Sequence, residues 1–254
     1  MNNFRQRLLS GERLIGSFVK TPSMMIAEVL AQTDLDVLCI DAEHSPFERG
    51  DIDASLLAYR ASNKPALVRV ASGQPHLILN ALDCGATGIV VPHVDSVEKA
   101  QACARAARFG DGGRGYAGST RAAAYGGNSV ASNLEHNREN TTVIAQIEDL
   151  AALECIDDIA AVNGIDCLFI GTMDLTVALG ASQAKDPRVI EATEMVCLAA
   201  EKAGRRTGIF VPSIDDIPFW LERGVSFFLM SSDHAFIKQG AAALVNGCQQ
   251  AFNR

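Results

Sequence analysis

Two carboxylates lie at or just after the ends of two successive apolar runs that are predicted to be strands. Glu148 ends the run TVIAQIE (142–148), and Asp174 closely follows the run CLFIGT (167–172). Hard divalent cations such as Mg²⁺ and Mn²⁺ prefer carboxylate oxygens. The pair therefore predicts a metal site with Glu148 and Asp174 as ligands. The alternative is structural, with Glu148 capping a helix and Asp174 serving as the N-cap of the next one.

Arg69 lies inside the apolar run LVRV (67–70), where its permanent charge needs an anionic partner. That partner is either a nearby carboxylate, Asp41 or Glu43, or an oxyanion of a substrate. His44 directly follows the run VLCIDAE (37–43), a position suited to a general base or proton shuttle. A structural histidine is the equal alternative at that position.

Asp83, in ALDCGA near a predicted helix end, is at a place where the helix dipole does not favour a carboxylate. One interpretation is that it turns inward to orient His44. Lys20 lies at the end of the first predicted strand, so Schiff-base chemistry stays open as a second mechanism. The remaining histidines are interpreted as structural or surface residues: His76, His93, His136 and His234.

The elements that must position these residues alternate between short apolar runs and amphipathic stretches. Continuous apolar runs are typical of parallel strands covered on both faces. Eight such runs occur: 14–20, 37–43, 66–70, 88–94, 142–148, 167–172, 207–211 and 226–232. No GxGxxG or GxxxxGK[ST] motif follows the first strand, which disfavours an open nucleotide-binding sheet. The sequence predicts one (β/α)8 TIM barrel over residues 1–254, with its chemistry at the carboxyl ends of the strands.

One segment interrupts this rhythm. Residues 109–140 are rich in glycine, and neither a strand nor a helix is predicted over most of them. We interpret the segment as the loop after the fourth barrel helix, or as an insertion that crosses the barrel mouth, either as a lid or as a subunit interface.

Composition restricts the partners. The net charge of −8 disfavours nucleic acid, and no apolar run is long enough to span a membrane. The N-terminus lacks the features of a signal peptide. Seven scattered cysteines without a CxxC pair indicate buried, reduced thiols and a cytoplasmic protein.

Taken together, several motifs resemble the HpcH/HpaI family of class II pyruvate aldolases. They are IDAEHSPF (40–47), LVRV (67–70), LDCGATGIVVPHV (82–94), GGRGYAG (112–118), AQIED (145–149) and FIGTMDLTVALG (169–180). The resemblance implies a pyruvate-type barrel, a C-terminal helix swapped between subunits, and a hexamer built as a trimer of dimers. It also implies a bound divalent metal, Mg²⁺ or Mn²⁺ first, with Co²⁺, Ni²⁺ or Zn²⁺ as alternatives.

The resemblance further implies roles for individual residues. Glu148 and Asp174 would bind the metal, and Gln146 would line the same pocket. His44 and Asp83 would form a catalytic dyad, and Arg69 would contact the oxo group of the substrate. The backbone amides of Met173 and Asp174 would hold the substrate carboxylate.

The expected function is an aldolase that cleaves or forms 4-hydroxy-2-oxo acids. Its partners would be a small 2-oxo acid such as pyruvate and an aldehyde. An alternative enzyme would be similar to a citrate synthase or to a citramalyl- or malyl-CoA lyase, and would join a 2-oxo acid to an acyl-CoA. A non-catalytic barrel acting as a scaffold or sensor would not need so many charged groups at one end.

Overall fold

The computed structural model describes residues 3–252 and contains a closed barrel of parallel strands. The strands follow one another around the barrel in chain order: β1 (Leu14–Val19), β2 (Val37–Asp41), β3 (Ala66–Arg69), β4 (Gly88–Val91), β5 (Thr142–Ile147), β6 (Cys167–Ile170), β7 (Arg206–Phe210) and β8 (Phe227–Ser232). Strand β8 pairs in parallel with β1 and closes the ring. The predicted TIM barrel is confirmed, and each strand lies within two or three residues of its predicted position.

Helices alternate with the strands. They are α1 (Phe4–Ser10), α2 (Met24–Ala31), α3 (Arg49–Ala61), α4 (Pro75–Asp83), α5 (Val97–Ala106), α6 (Val130–Asn140), α7 (Leu150–Glu154), α8 (Ile156–Ala161), α9 (Thr172–Ala178), α10 (Pro187–Lys202), α11 (Ile217–Leu221) and α12 (Asp233–Phe252). Ser23 and Ser96 cap α2 and α5 by accepting backbone N–H groups of the first turn. Among residues 3–252, no helix combines the length and apolar character of a membrane span.

Two apolar layers hold the barrel together. The larger layer lies between the strands and the surrounding helices. The smaller one fills the barrel interior and includes Leu67, Val90, Ile144 and Phe169. Helix α1 closes the amino end of the barrel, where the ring of Phe4 packs edge-on against Phe227 at 5.9 Å. With that end filled, the carboxyl ends of the strands are left as the accessible mouth.

The glycine-rich segment 109–140 contains more structure than the sequence predicted. Residues 130–140 form α6, and a short 3-10 turn covers Arg121–Gly126. The segment follows α5, the fourth helix between strands, which agrees with the interpretation of it as the loop after the fourth barrel helix. It packs at the amino end of the barrel, where Arg114 binds Asp83 at the end of α4. Within its own chain it therefore does not cross the mouth.

Candidate active site

Asp41 and Arg69 form the anchor of the barrel mouth. They are the last residues of β2 and β3 and stand side by side in the sheet register. Arg69 Nε donates to Asp41 Oδ1 at 3.0 Å, and its Nη2 lies 2.8 Å from Oδ2. Lys20, just after β1, adds a third contact at 2.5 Å. Burial alone would raise the pKa of Asp41, but the bonds and charge of Arg69 and the bond from Lys20 hold it at about 2.

Arg69 also faces Glu43. Its Nε lies 3.3 Å from Glu43 Oε2, and its guanidinium stacks over the ring of Phe18 at 4.5 Å. Burial raises the pKa of Glu43 although the nearby cation Arg69 opposes the shift. The carboxylate partners that the sequence suggested for Arg69 are both present. Contacts with Asp41, Glu43 and Phe18 therefore hold the Arg69 side chain from three directions.

Glu148 immediately follows β5 and is buried. Its Oε1 accepts the backbone N–H of His93 at 2.9 Å, and its Oε2 accepts Gln146 Nε2 at 2.5 Å. Gly171, after β6, leaves room for this carboxylate. A Cβ atom at Gly171 would lie 2.7 Å from both Cβ and Oε2 of Glu148. The carboxylate is therefore locked in place by β4, β5 and β6 together.

Three side chains meet beside this carboxylate as a group that could hold a cation: Glu43, His93 and Glu148. One ligand atom from each lies within 4.8 Å of the others. His93 Nδ1 lies 3.4 Å from Glu148 Oε1, and His93 Nε2 lies 3.7 Å from Glu43 Oε1. Among the described residues, the buried atoms Gln146 Oε1 and Glu43 Oε2 have no hydrogen-bond donor. Clustered oxygens that lack hydrogen-bond donors fit a divalent cation.

His93 belongs to this group although the sequence did not single it out. The sequence predicts a structural or surface role for it, whereas in the structure it follows β4, between the strands that lead to Arg69 and Glu148. Its position after a buried strand was the same signal that singled out His44. Burial lowers the pKa of His93, but the hydrogen bond with Asp149 and the charges of Glu148 and Glu43 outweigh this effect and raise it.

Asp174 and Met173 lie in the first turn of α9, three and two residues beyond Gly171, and both are exposed. Asp174 is on the same side of the barrel as Glu148, as expected, but it is not one of the three clustered side chains. The predicted pair of metal ligands is thus represented in the cluster by Glu148.

His44 and Asp83 are not brought together within one chain. His44 is at the mouth, with an exposed ring whose Nε2 lies 3.5 Å from Glu43 Oε2 and a backbone N–H that donates to Asp41. Asp83 ends α4, a helix that runs back from the mouth, and it is bound there by Arg114 at 2.5 Å. The idea that Asp83 turns inward toward His44 is therefore wrong for a single chain, because the two residues occupy opposite ends of the barrel.

Comparisons with known proteins agree with this geometry. A family model described as HpcH/HpaI aldolase/citrate lyase matches residues 14–238. A hydroxypyruvate/pyruvate aldolase of Paraburkholderia phytofirmans is 33% identical, with 91% of this chain and 92% of that protein covered. A 5-keto-4-deoxy-D-glucarate aldolase of Shigella boydii is 30% identical, with 96% of this chain and 95% of that protein covered.

Solved structures are similar over the same length. An HpcH/HpaI aldolase/citrate lyase family protein from Burkholderia cenocepacia superposes with a TM-score of 0.91 at 32% identity, covering 98% of this chain and all of the other. The citrate synthase SbnG superposes with a TM-score of 0.88 at 27% identity, covering 99% of each chain.

Proposed function

This chain belongs to the HpcH/HpaI aldolase/citrate lyase family, and from that premise we propose that it is a divalent-metal-dependent aldolase for 4-hydroxy-2-oxo acids. Pyruvate or a related 2-oxo acid would be the donor and an aldehyde the acceptor. The observation that carries the proposal is the shared carboxylate Glu43, which lies between the buried guanidinium of Arg69 and the group formed with His93 and Glu148.

The chemical difficulty of the reaction is an enolate, a negative charge next to a carboxylate. Glu148 and Asp174 are the residues proposed to hold the cation, as the resemblance implies. A divalent cation bound there would supply Lewis-acid stabilisation of that charge, worth several kcal/mol. The carboxylates clustered with Glu148, and the buried oxygens of Gln146 and Glu43 that lack a hydrogen-bond donor among the described residues, support Glu148 as a ligand. The assignment of Asp174 rests on the resemblance.

Arg69 is proposed to stabilise the oxo oxygen of the donor. Its guanidinium is 9% exposed and fixed by Asp41. A preorganised donor loses little free energy to rearrangement when charge develops, which favours the transition state over the ground state. The amide N–H groups of Met173 and Asp174, in the first turn of α9, are proposed to bind the substrate carboxylate. Gln146 would line the same pocket.

His44 is proposed as the group that takes the hydroxyl proton of the substrate in the cleavage direction. Its ring is 56% exposed and so is accessible to a substrate, while its backbone is tied to Asp41. Asp83 stands at the other end of its own barrel. The dyad that the resemblance implies could therefore form only between two copies of the chain.

Chelation tests the proposal most directly. Protein treated exhaustively with EDTA should lose the release of pyruvate from a 4-hydroxy-2-oxo acid, and Mg²⁺, Mn²⁺ or Co²⁺ should restore it. Arg69→Lys should lower kcat by at least about 100-fold, because a lysine keeps the charge and loses the planar fork. Arg188→Lys, an exposed matched change, should leave kcat unaltered. Full activity in the chelated protein would exclude the mechanism.

Lys20 offers the test of the Schiff-base alternative. Its side-chain nitrogen lies 2.5 Å from the buried carboxylate of Asp41 and is engaged in that ion pair. Incubation with pyruvate and borohydride should leave the mass of the protein unchanged. A covalent adduct on Lys20 would replace the metal mechanism with an imine mechanism.

The similarity to the citrate synthase SbnG supports a second candidate, the condensation of a 2-oxo acid with an acyl-CoA. Incubation with oxaloacetate and acetyl-CoA distinguishes the two functions. Free thiol from CoA would appear with a citrate-forming enzyme and not with an aldolase. The aldolase is favoured because both named relatives at 30% identity or more are aldolases.

We also propose that α12 is exchanged between two copies in a larger, hexameric assembly. Asp233, at its start, is the buried residue of this 20-residue helix. Apolar side chains stand exposed along it: Phe236, Ile237, Leu244, Val245 and Phe252. A long apolar stripe normally has a partner.

The seven free cysteines support a reducing compartment such as the cytoplasm.

A further inference from the structure

We propose that His93 supplies a nitrogen ligand, and Glu43 an additional oxygen ligand, to the cation held by Glu148. The site would then prefer ions that bind imidazole well, such as Co²⁺, Ni²⁺ or Zn²⁺, over Mg²⁺. This inference rests on the proposed metal dependence and specifies the ligand set and the class of ion.

Distances within the group suit a single ion. Ligand atoms about 2.1 Å from a metal lie about 3.0 Å apart at a right angle and about 3.4 Å apart at the tetrahedral angle. The measured separation of 3.7 Å between His93 Nε2 and Glu43 Oε1 is close to these values, and one ligand atom of each of Glu43, His93 and Glu148 lies within 4.8 Å of the others. Small movements of exposed His93 would bring all three side chains onto one ion.

The surroundings orient the imidazole for this role. Asp149 Oδ2 lies 3.0 Å from Nδ1 of His93, so a proton on Nδ1 would be donated to that carboxylate. Nε2 is then left with its lone pair, and we assign it as the ligand atom. A carboxylate behind a metal-bound histidine is the usual arrangement that fixes the tautomer and the ring.

The backbone of His93 is held in an uncommon conformation. Its φ is 54°, in the left-handed region that non-glycine residues seldom occupy. The N–H of the same residue binds Glu148, and its carbonyl accepts from Lys99 Nζ at 3.3 Å. Strain of this kind is retained where the surrounding structure demands it, often at binding sites. Here it places both the backbone N–H and the imidazole of His93 beside the carboxylate of Glu148.

An independent observation also points to a ligand. Gln146 is 1% exposed, and its Oε1 has no hydrogen-bond donor among the described residues, while the Nε2 of the same amide binds Glu148. A buried acceptor without a donor is costly. A cation, or the water molecules that complete its coordination, would satisfy this oxygen next to Glu148.

The chemistry of the donor set determines the preferred ion. Mg²⁺ favours oxygen ligands and retains several waters, whereas imidazole suits the later first-row ions. An all-carboxylate site would discriminate little in favour of Co²⁺. The addition of His93 predicts a selectivity that depends on one side chain.

The test compares the affinities of the full-length protein for Co²⁺ and Mg²⁺ by calorimetry. His93→Asn is the variant of choice because asparagine tolerates the left-handed backbone. Its Co²⁺ affinity should fall at least about tenfold, as even indirect changes around metal sites do. Its Mg²⁺ affinity should change much less. His136→Asn, on α6, should behave like the unaltered protein.

Spectroscopy gives a readout that is independent of activity. Electron spin echo modulation of the Mn²⁺-loaded protein should show the nitrogen of an imidazole ligand. His93→Asn should remove the signal, and added imidazole should restore it in His93→Gly. Equal losses of Co²⁺ and Mg²⁺ affinity in His93→Asn, or no nitrogen signal in the unaltered protein, would overturn the inference. If Glu148→Gln alone abolishes binding, the proposed metal dependence survives this failure.

Discussion

At the scale of single residues, the candidate site depends on how Glu148 is confined. A hydrogen bond from the His93 backbone, another from Gln146 and the close backbone of Gly171 leave its carboxylate one position. Asp41 is confined in a similar way, because it binds Arg69, Lys20 and the backbone of His44. Two buried carboxylates thus hold Arg69 and Lys20 and fix the backbones of His44 and His93.

Gly171→Ala should disrupt the metal site without unfolding the barrel. The added methyl group would meet Glu148 Cβ and Oε2 at 2.7 Å, so the carboxylate must move. We expect divalent-cation affinity to fall at least about tenfold, measured by calorimetry. Gly50→Ala is the matched control, because no atom lies within 4 Å of the position its Cβ would take. Unchanged affinity in Gly171→Ala would show that Glu148 does not bind the cation.

Asp41 should contribute to stability in a defined pH range. Its pKa is about 2 in the folded chain and about 3.9 in an unfolded one. A lowered folded pKa stabilises the protein above the unfolded value, and this contribution is lost as the pH falls from about 4 to 2. The loss should be about 2 kcal/mol. Urea unfolding between pH 2 and 6 should show a shallower acid loss for Asp41→Asn than for the exposed control Asp111→Asn.

At the scale of elements, the barrel separates residues that the sequence resemblance pairs, such as His44 and Asp83. A strand ends at the mouth, and the helix after it returns to the opposite end, so position within a strand–helix unit decides which residues can meet. His44 and His93 follow β2 and β4 and reach the mouth, whereas Asp83 ends α4 and does not. Helix α12 follows β8, but Asp233 is its one buried residue in the structure described for residues 3–252. It is attached through Asp233, which accepts the backbone N–H groups of Lys20 and Thr21.

Leu244→Asp should weaken association between copies. Leu244 is 69% exposed on α12 and lies on the same apolar stripe as Ile237, seven residues earlier. A carboxylate there would be buried without a partner if the helix packs on another chain. Light scattering after size exclusion should show a lower mass than for the unaltered protein. The same mass for Leu244→Asp and for the polar-position control Asn246→Asp would exclude α12 from the interface.

At the scale of the whole molecule, two apolar layers exclude solvent from the interior. Buried cysteines lie in both layers, so their reactivity would indicate whether either layer opens. Cys39 and Cys167 lie in the barrel interior, and Cys103 and Cys197 lie under the helices. Burial raises the pKa of Cys39 to about 12, and that of Cys103 and Cys197 to about 11. These thiols are protonated and enclosed at neutral pH, so they should be unreactive.

A thiol reagent at pH 8 should therefore modify the native protein at few positions. Cys155 is partly exposed and Cys248 is exposed on α12, while the other five cysteines are buried. We expect up to two equivalents of thiol to react in the native protein and seven after denaturation. Cys248→Ser should lower the native count if α12 is accessible. Rapid reaction of the five buried thiols would indicate that the barrel opens readily.

The sequence by itself determined the barrel, because a strand covered on both faces must be continuously apolar and the eight such runs are separated by amphipathic helices. It also indicated which charged residues follow those strands, since a charge at the end of an apolar run needs a partner. The segment 109–140 was harder to predict, because the buried residues of α6 are the polar Asn133 and Asn137 and no apolar stripe marks the helix.

Only the tertiary structure decided which of those residues meet. Contacts across the mouth depend on strand register and on the direction in which each helix returns. Local sequence composition determines neither of these. The register put Arg69 on Asp41, the left-handed turn at His93 placed its ring beside Glu148, and the antiparallel course of α4 carried Asp83 to Arg114. Pairing energies depend on separations of a few ångströms, which are set by the closed barrel as a whole.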